Sequence, residues 1–441
     1  MKVRDIFSMD FLLLLAVGAL TVTGIFFIYS SGISSTGEQT SDEYIKQIVW
    51  GSVGFVFIVA LVLIDYKRLY NISLYLYAAI LLALLYTVLF GKLVNGARAW
   101  LGIGSFGVQP SEFAKIITIV LLARYLDASK RKSSSFKRFF VSCVIVFVPM
   151  GLILIQPDFG TSLVFIPILL VMTFIAGVRV RYVIFLTVWI GLTGILMALP
   201  LWQTHIMKMS FSPIMLLLDV KFIAAVCAAL VIIGIVAIIG YLLYKKPYFF
   251  WIIYSITMLI LSFGASFAAH KVLKDYQIMR LIVFLDPQID PQGAGWNIIQ
   301  STTAIGSGGL MGRGFLQGTQ SHYRFLPQQS TDFIFSIFSE ESGFVGGLIV
   351  FALFLVINLR FVRIMRLASN AFGMYITAGL SSVFAFHFLV NIGMAMGIMP
   401  ITGIPLIFMS YGGSALLAAM IGIGLVESIY VRRLDFETVG V

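Results

Sequence analysis

The chain has 441 residues, 60% of them hydrophobic and 11% charged, with a mean hydropathy of +1.02. That composition cannot cover a soluble globule, and it predicts an all-α polytopic membrane protein. Two cysteines inside apolar runs and four scattered histidines give no support to a disulfide framework or a built-in zinc site, and the net charge of +11 reads as a topology signal rather than nucleic-acid binding.

In chain order, MKVRDIFSMD precedes an apolar run that lacks a small-residue cleavage site, so that run is expected to be a first span and not a removable signal. Stretches long enough to cross about 30 Å of hydrocarbon follow one another at 11–30, 47–64, 70–90, 111–126, 139–157, 161–178, 182–200, 221–244, 249–269, 333–358, 371–396 and 414–431. About twelve helices therefore form one bundle, 1–441. With the N-terminus inside, every expected cytoplasmic segment is basic: Lys2 and Arg4, Lys67 and Arg68, Arg124 to Arg138, Arg179 and Arg181, Lys245 and Lys246, Arg360 to Arg366, and Arg432 with Arg433. The first outer loop, SSGISSTGEQTSDEY, is acidic and Ser/Thr-rich. Both termini are then inside, and the long polar segment 271–332 is extracytoplasmic. Part of the excess positive charge also suits anionic membrane lipid.

Three further interruptions fall on that outer side: GKLVNGARAWLGIGSFGVQPSE (91–112), IQPDFGTS (155–162) and GIMPITGIPLIFMSYGG (397–413). Any one of them reads equally well as an ordinary connector; four on one face can line a cavity. Glu112 and Lys115, three apart, share a helix face and can pair. Asp158 reads either as a helix N-cap or as a site carboxylate, and the same alternative holds for Asp332, at the junction of the polar segment and the next span. Glu340 and Glu341 follow about two turns later, one of them facing the bundle. Lys271, Lys274, Arg280, Arg313 and Arg324 make the long segment a face for an anionic ligand such as a pyrophosphate, and GSGGLMGRG (306–314) reads as a phosphate-cradling loop or a flexible turn.

These residues resemble the SEDS family of polytopic membrane glycosyltransferases, the group of RodA, FtsW and SpoVE. The likeness rests on GARAWLGIG and QPSEFAKI, QPDFGTS, the run DYQIMRLIVFLDPQIDPQGAGWNIIQSTTAIGSGGLMGRG, GTQ, FLPQQSTDFIF, EESGFVG and NIGMAMGIMPITGIPLIFMSYGGSA, in collinear order over most of the chain. DPQGAGWNIIQS followed by GTQ is similar to the elongation branch more than to the division branch.

The resemblance implies a peptidoglycan glycosyltransferase in the bacterial inner membrane that polymerises lipid II during elongation, releases undecaprenyl pyrophosphate, and works with a class B penicillin-binding protein and other elongation-complex proteins. The acceptor hydroxyl needs a base, and the leaving pyrophosphate needs cations or a divalent metal. Asp332 aligns with the family's essential aspartate, as base or as ligand to a divalent cation, Mg or Mn; no organic cofactor is implied. Lys115 and Arg98 become candidates for the lipid-linked phosphates, with Arg280 and Arg324 as further cations. Trp100 is a ring for sugar or lipid packing, and Glu112, Gln109 and Asp158 orient the cavity. The competing readings are a flippase for lipid-linked precursors and a membrane scaffold for a crosslinking enzyme. Polar residues gathered at the outer mouth, not along a path through the bilayer, favour the enzyme.

The chain departs from the family pattern at Gln328 and Ser330, where glutamate and histidine are common, at Gly107 and Ile407, and at Ala99, which stands where a basic residue usually precedes the tryptophan. Against the family's usual ten spans, 203–268 reads as a two-helix insertion, an even number that keeps Asp332 on the outer face.

Overall fold

A computed structural model of the protein describes residues 8–434 except 95, 96, 104, 105, 131, 204–213, 215, 273, 274 and 324. Arg324, one of the expected cations, lies outside this set, as do Lys2, Arg4, Arg131 and Lys274. The chain divides into two compact units, Met1–Arg179 with Gln300–Val441, and Val180–Ile299.

The first unit contains helices α1 (Phe11–Ser31), α2 (Glu43–Leu63), α3 (Arg68–Phe90), α4 (Pro110–Ser129), α5 (Ser135–Ile155), α6 (Phe159–Leu163) and α7 (Phe165–Ile175). The second contains α8 (Val180–Trp202), α9 (Val220–Tyr244), α10 (Pro247–Val272) and α11 (Asp275–Leu285). Helix α12 (Ala294–Ser307) leads back to the first unit, which closes with α13 (Thr319–His322), α14 (Ile334–Leu367), α15 (Ala371–Ala395) and α16 (Gly413–Val431). Helix starts follow local chemistry: Asp10, Ser134, Asp219 and Asn370 each cap an N-terminus through the side chain, and Pro110 occupies the first turn of α4, where no amide donor is needed.

Ten of the described helices are long and apolar enough to cross a membrane, which makes this a multi-pass membrane protein. The two other expected spans take different forms. The stretch 111–126 is α4, whose 20 residues include Glu112, Lys115, Arg124 and Asp127. The stretch 161–178 is broken between α6 and α7, because Pro167 has no N–H to continue the ladder and a new first turn starts at Phe165. Helices α15 and α16 form the core of their unit: 72% and 78% of their apolar windows are buried, against 39% or less in the other spanning helices.

Two features depart from the expected all-helical pattern of spans and loops. Residues 92–108 fold into an antiparallel three-stranded sheet, β1 (Lys92–Val94), β2 (Ala97–Ile103) and β3 (Phe106–Val108), in that order. The polar segment 271–332 is mostly helical, containing α11, α12 and α13. The expected insertion 203–268 contains α9 and most of α10, which pack on each other around a turn where Lys245 takes a left-handed φ of 49° before Pro247.

Candidate functional site

Asp332 lies just outside a helix. The N-cap of α14 is Phe333, so Asp332 does not occupy the capping position. The approach is set by Gln328, whose φ of 51° turns the chain so that its carbonyl accepts from the amides of both Asp332 (3.1 Å) and Phe333 (3.3 Å). Ser330 contributes its backbone carbonyl, which accepts from the Tyr411 amide at 2.7 Å. The two positions that depart from the family pattern therefore shape the backbone on which Asp332 is held.

The Asp332 carboxylate faces the 397–412 connection. Gly403, with φ of 72°, comes so close that a β-carbon there would stand 3.6 Å from Oδ2. Asn391 on α15 fixes both sides of this approach: its Nδ2 donates to the carbonyl of Asp332 at 2.9 Å and to that of Ile404 at 2.8 Å. One turn earlier, His387 donates from Nδ1 to the Pro405 carbonyl at 3.0 Å. A carbonyl can only accept, so Nδ1 carries the proton and Nε2 of the neutral ring accepts from the Lys115 ammonium, 3.2 Å away. Lys115 also donates to Glu112 at 2.8 Å. The i, i+4 pair His387 and Asn391 thus ties Lys115, the 403–406 backbone and Asp332 into one connected structure.

The other expected residues on α4 and its neighbours join the same end of the unit. Gln109 donates from Nε2 to Asp158 Oδ2 at 2.7 Å, and its amide donates to Ser414 Oγ at 3.0 Å. Asp158 also caps α6 by accepting from the Thr161 amide at 3.1 Å, so the capping alternative is realised while the other oxygen holds Gln109. Burial pushes the Asp158 carboxyl above its ordinary range; the hydrogen bonds of Thr161 pull it back, Glu112 adds to the rise and Lys115 opposes it. Gly160 packs on the carbonyl of Thr402, leaving no room for a side chain. The last residues of 91–112 thus join the interruption at 155–162, which packs at Gly160 on Thr402, beside the Gly403 that faces Asp332.

Glu112 and Lys115 are nearly buried and neutralise each other. Taking such a pair out of water is costly, which argues for more than helix-end decoration. Two of the three ammonium donors are used on Glu112 and His387, leaving one for another acceptor. A narrow space beside the pair, about 20 Å³, has room for one water and is lined otherwise by apolar residues such as Ile116, Leu380 and Ala418. The hydroxyl of Ser111, next to Glu112 in the chain, and the amide oxygen of Asn391, one turn after His387, are buried without a hydrogen-bond partner, which leaves polar capacity for water or ligand.

On the sheet, Arg98 is exposed, and the ring of Trp100 lies over Gly107, where a β-carbon would meet Cε3 at 2.9 Å. A basic side chain at 107 would displace that ring. Arg280 belongs to the second unit, on α11, and is half-buried.

The glycine-rich run is not a phosphate cradle. The amides of Gly312, Arg313 and Gly314 donate to the carbonyls of Gly308, Glu340 and Glu341 at 2.9 to 3.0 Å. The run instead closes a break in α14 at Gly343, whose φ of 67° and ψ of −165° interrupt the helical ladder. Glu340 and Glu341 are likewise committed. Glu340 accepts from the amides of Thr319, Gln320 and Ser321 and from the hydroxyls of Thr319 and Ser321, closing over α13. Glu341 accepts from Ser30 Oγ on α1 and from the Leu316 amide, with His322 Nε2 at 3.7 Å. Among the described residues no cluster of three or more His, Cys, Asp or Glu side chains could cage a metal. A lone carboxylate suits a largely hydrated Mg or Mn shared with substrate phosphates.

Sequence reading missed His387, Asn391 and Gly403. The first two carried a usable signal, since a histidine and an asparagine four residues apart inside an apolar span are costly unless they have a job; Gly403 carried none.

The profile of the FtsW/RodA/SpoVE family, described as cell cycle protein, matches residues 10–221 and 201–434, two stretches that overlap near the start of the expected insertion. The chain is 50% identical to the peptidoglycan glycosyltransferase RodA of Treponema pallidum (strain Nichols), over 98% of this chain and all of that one. It is 33% identical to the peptidoglycan glycosyltransferase MrdB of Escherichia coli (strain K12), covering 97% and 95% of the two chains, and 31% identical to the stage V sporulation protein E of Bacillus subtilis (strain 168), covering 96% and 97%. Its fold is similar to that of a chain in a peptidoglycan synthase complex that coordinates polymerization and crosslinking, with a TM-score of 0.65, 23% identity and coverage of 98% and 99%. It is also similar to the rod shape determining protein RodA of Thermus thermophilus, with a TM-score of 0.59, 22% identity and coverage of 96% and 97%. With the profile and these relatives running over nearly its whole length, the chain belongs to the FtsW/RodA/SpoVE family.

Proposed function

We propose that the chain is a peptidoglycan glycosyltransferase of the elongation type, polymerising lipid II into glycan strands with Asp332 at the reacting centre. The observation that carries the site assignment is the linkage of Asp332 and Lys115 through Asn391, His387 and the 403–406 backbone. It supplies a carboxylate and a cation on one rigid frame, which is what the reaction requires.

In the reaction, the 4-hydroxyl oxygen of one sugar bonds to the anomeric carbon of the other, and the bond from that carbon to the pyrophosphate oxygen breaks. The electron pair leaves with undecaprenyl pyrophosphate, and the hydroxyl proton goes to a base. Asp332 is that base: its carboxylate sits outside the helix, held against a loop rather than spent on a cap. Lys115, buried and held in place by Glu112 and His387, acts on the phosphates as a fixed charge, through the one water its adjoining space can hold and not by direct contact. Gln109 and Asp158 keep the start of α4, and so Glu112 and Lys115, in register with the 402–404 backbone. A divalent cation bound through Asp332 would add charge neutralisation at the pyrophosphate.

The setting follows from the same chemistry. The protein lies in the bacterial cytoplasmic membrane, both termini inside, with Asp332 on the outer face where lipid II is consumed. A class B penicillin-binding protein crosslinks its product, an arrangement supported by the likeness to a chain of a synthase complex. The test is conversion of lipid II to glycan strands by the purified protein with that partner, run with and without a chelator. Strands are expected, with a fall in rate when the cation is removed. Binding of lipid II without strand formation, under both conditions, would overturn the assignment.

A further inference from the structure

Helix α14 is broken at Gly343, and its longer part, 344–367, runs about 36 Å at 1.5 Å per residue, enough to cross a bilayer's hydrocarbon. Its depth can be read from polar ties to α1. At one end Asp10, the cap of α1, pairs with Arg360; at the other, Ser30 donates to Glu341. Those ties lie about 20 residues apart on each helix, so the two polar layers stand about 30 Å apart, the thickness of the hydrocarbon core. Glu341 therefore marks the boundary on Asp332's side, and Phe344 and Val345 begin the lipid-facing part of the helix.

The glycine-rich run docks at that level. Its Gly309 and Leu310 carbonyls accept from the Phe344 and Val345 amides at 2.9 and 3.1 Å, while its Arg313 and Gly314 amides donate to the Glu340 and Glu341 carbonyls. Irregular backbone at membrane depth is tolerable only if its polar groups are paired, and these four bonds pair both sides of the helix break. The side chains at the tip do the opposite of what an aqueous loop would do. Leu310 and Met311 are 70% and 78% exposed, beside Phe344 at 65% and Leu348 at 59%, so they continue the lipid-facing row of α14. At its other end Phe315 packs edge-on against Phe26 and Phe27 near the same end of α1. Arg313 does not share the tip; it is turned back onto Thr319 and the Ser307 carbonyl.

We propose that the tip of this run, Leu310 and Met311, is seated among the acyl chains of the leaflet on Asp332's side and anchors the segment that leads into Asp332. Lipid is the occupant because the tip is level with the hydrocarbon edge and continuous with a lipid-facing helix row. The anchor acts on position: α13 hangs from the Glu340 carboxylate, Gln329 in the turn before Asp332 donates to the Ser321 carbonyl of α13, and the Glu340 and Glu341 carbonyls hold the run.

The test uses full-length protein in phospholipid nanodiscs, with Cys143 and Cys227 replaced by alanine and a single fluorophore at Met311→Cys. A second sample carries it at Glu38→Cys, in the exposed first loop. At 311, emission is expected to be quenched by acyl-brominated lipid and several-fold less by aqueous iodide than at 38. Equal iodide quenching at both positions would overturn the proposal. So would shielding at 311 from both quenchers, which would indicate a protein contact. Because the readout is depth and not activity, it stands or falls independently of the assigned reaction.

Discussion

Asp332 and the pair Glu340 and Glu341 stand within ten residues of one another, and the chain treats them in opposite ways. Glu340 is saturated by the amides and hydroxyls of α13 and Glu341 by α1 and the 316 amide, so both serve to close a broken helix against its own loop. Asp332 stands one residue outside the same helix, with its backbone fixed from both sides and its carboxylate against Gly403. The contrast teaches that a carboxylate's role here follows from what its oxygens accept. Backbone amides make the two glutamates struts, whereas Asp332 lies against a loop edge at Gly403.

The comparison can be broken most sharply by exchanging the two behaviours. Asp332→Ala should lower polymerisation by about 10²- to 10⁴-fold, the range of a general base, with the melting temperature unchanged; retained polymerisation would remove the base assignment. Glu340→Gln should do the reverse in kind. It turns an acceptor into a donor facing the amides of 319–321, costing about 3 kcal/mol of stability, read as a lower melting temperature in detergent. If Glu340→Gln melts normally but is inactive, Glu340 belongs with Asp332 and not with the struts.

Smaller effects probe the frame between the two behaviours. His387→Ala removes the acceptor for Lys115 and should raise KM for lipid II more than it lowers kcat, by about tenfold, one lost hydrogen bond to a charged group. His387→Gln, which can donate and accept at once, should recover most of it, and equal losses in both variants would argue for packing alone. Gly403→Ala forces a side chain into a left-handed φ at a cost of about 1–2 kcal/mol and puts a methyl in contact with Oδ2. Steady-state kinetics should show a several-fold loss of kcat, smaller than for Asp332→Ala.

Much of this was legible in the sequence. Long apolar runs dictate helices because backbone polar groups in hydrocarbon have no other partner, so each of the twelve expected stretches corresponds to a helix or, at 161–178 and at 333–358, a broken one. Glu112 and Lys115 meet because residues three apart share a face. The sheet at 92–108 was not legible, because its short strands are rich in glycine and lack alternation. The two readings of 306–314, phosphate-cradling loop or flexible turn, stayed open for a similar reason: glycines announce free amides, but whether those amides meet a phosphate or a neighbouring carbonyl depends on a break 30 residues later in the chain, at Gly343.

Composition and local spacing, then, determined on their own that the chain lives in a membrane, where its helices run, and which carboxylates and cations are present to do chemistry. These depend on hydropathy and on periodicity over a few residues, which act along the chain. The tertiary structure alone decided which of those groups meet. Gln109 with Asp158, Lys115 with His387 and Asn391 with the Asp332 carbonyl are partners separated by tens to hundreds of residues, and only the packing of α4, α15 and their connecting loops brings their polar atoms within bonding distance.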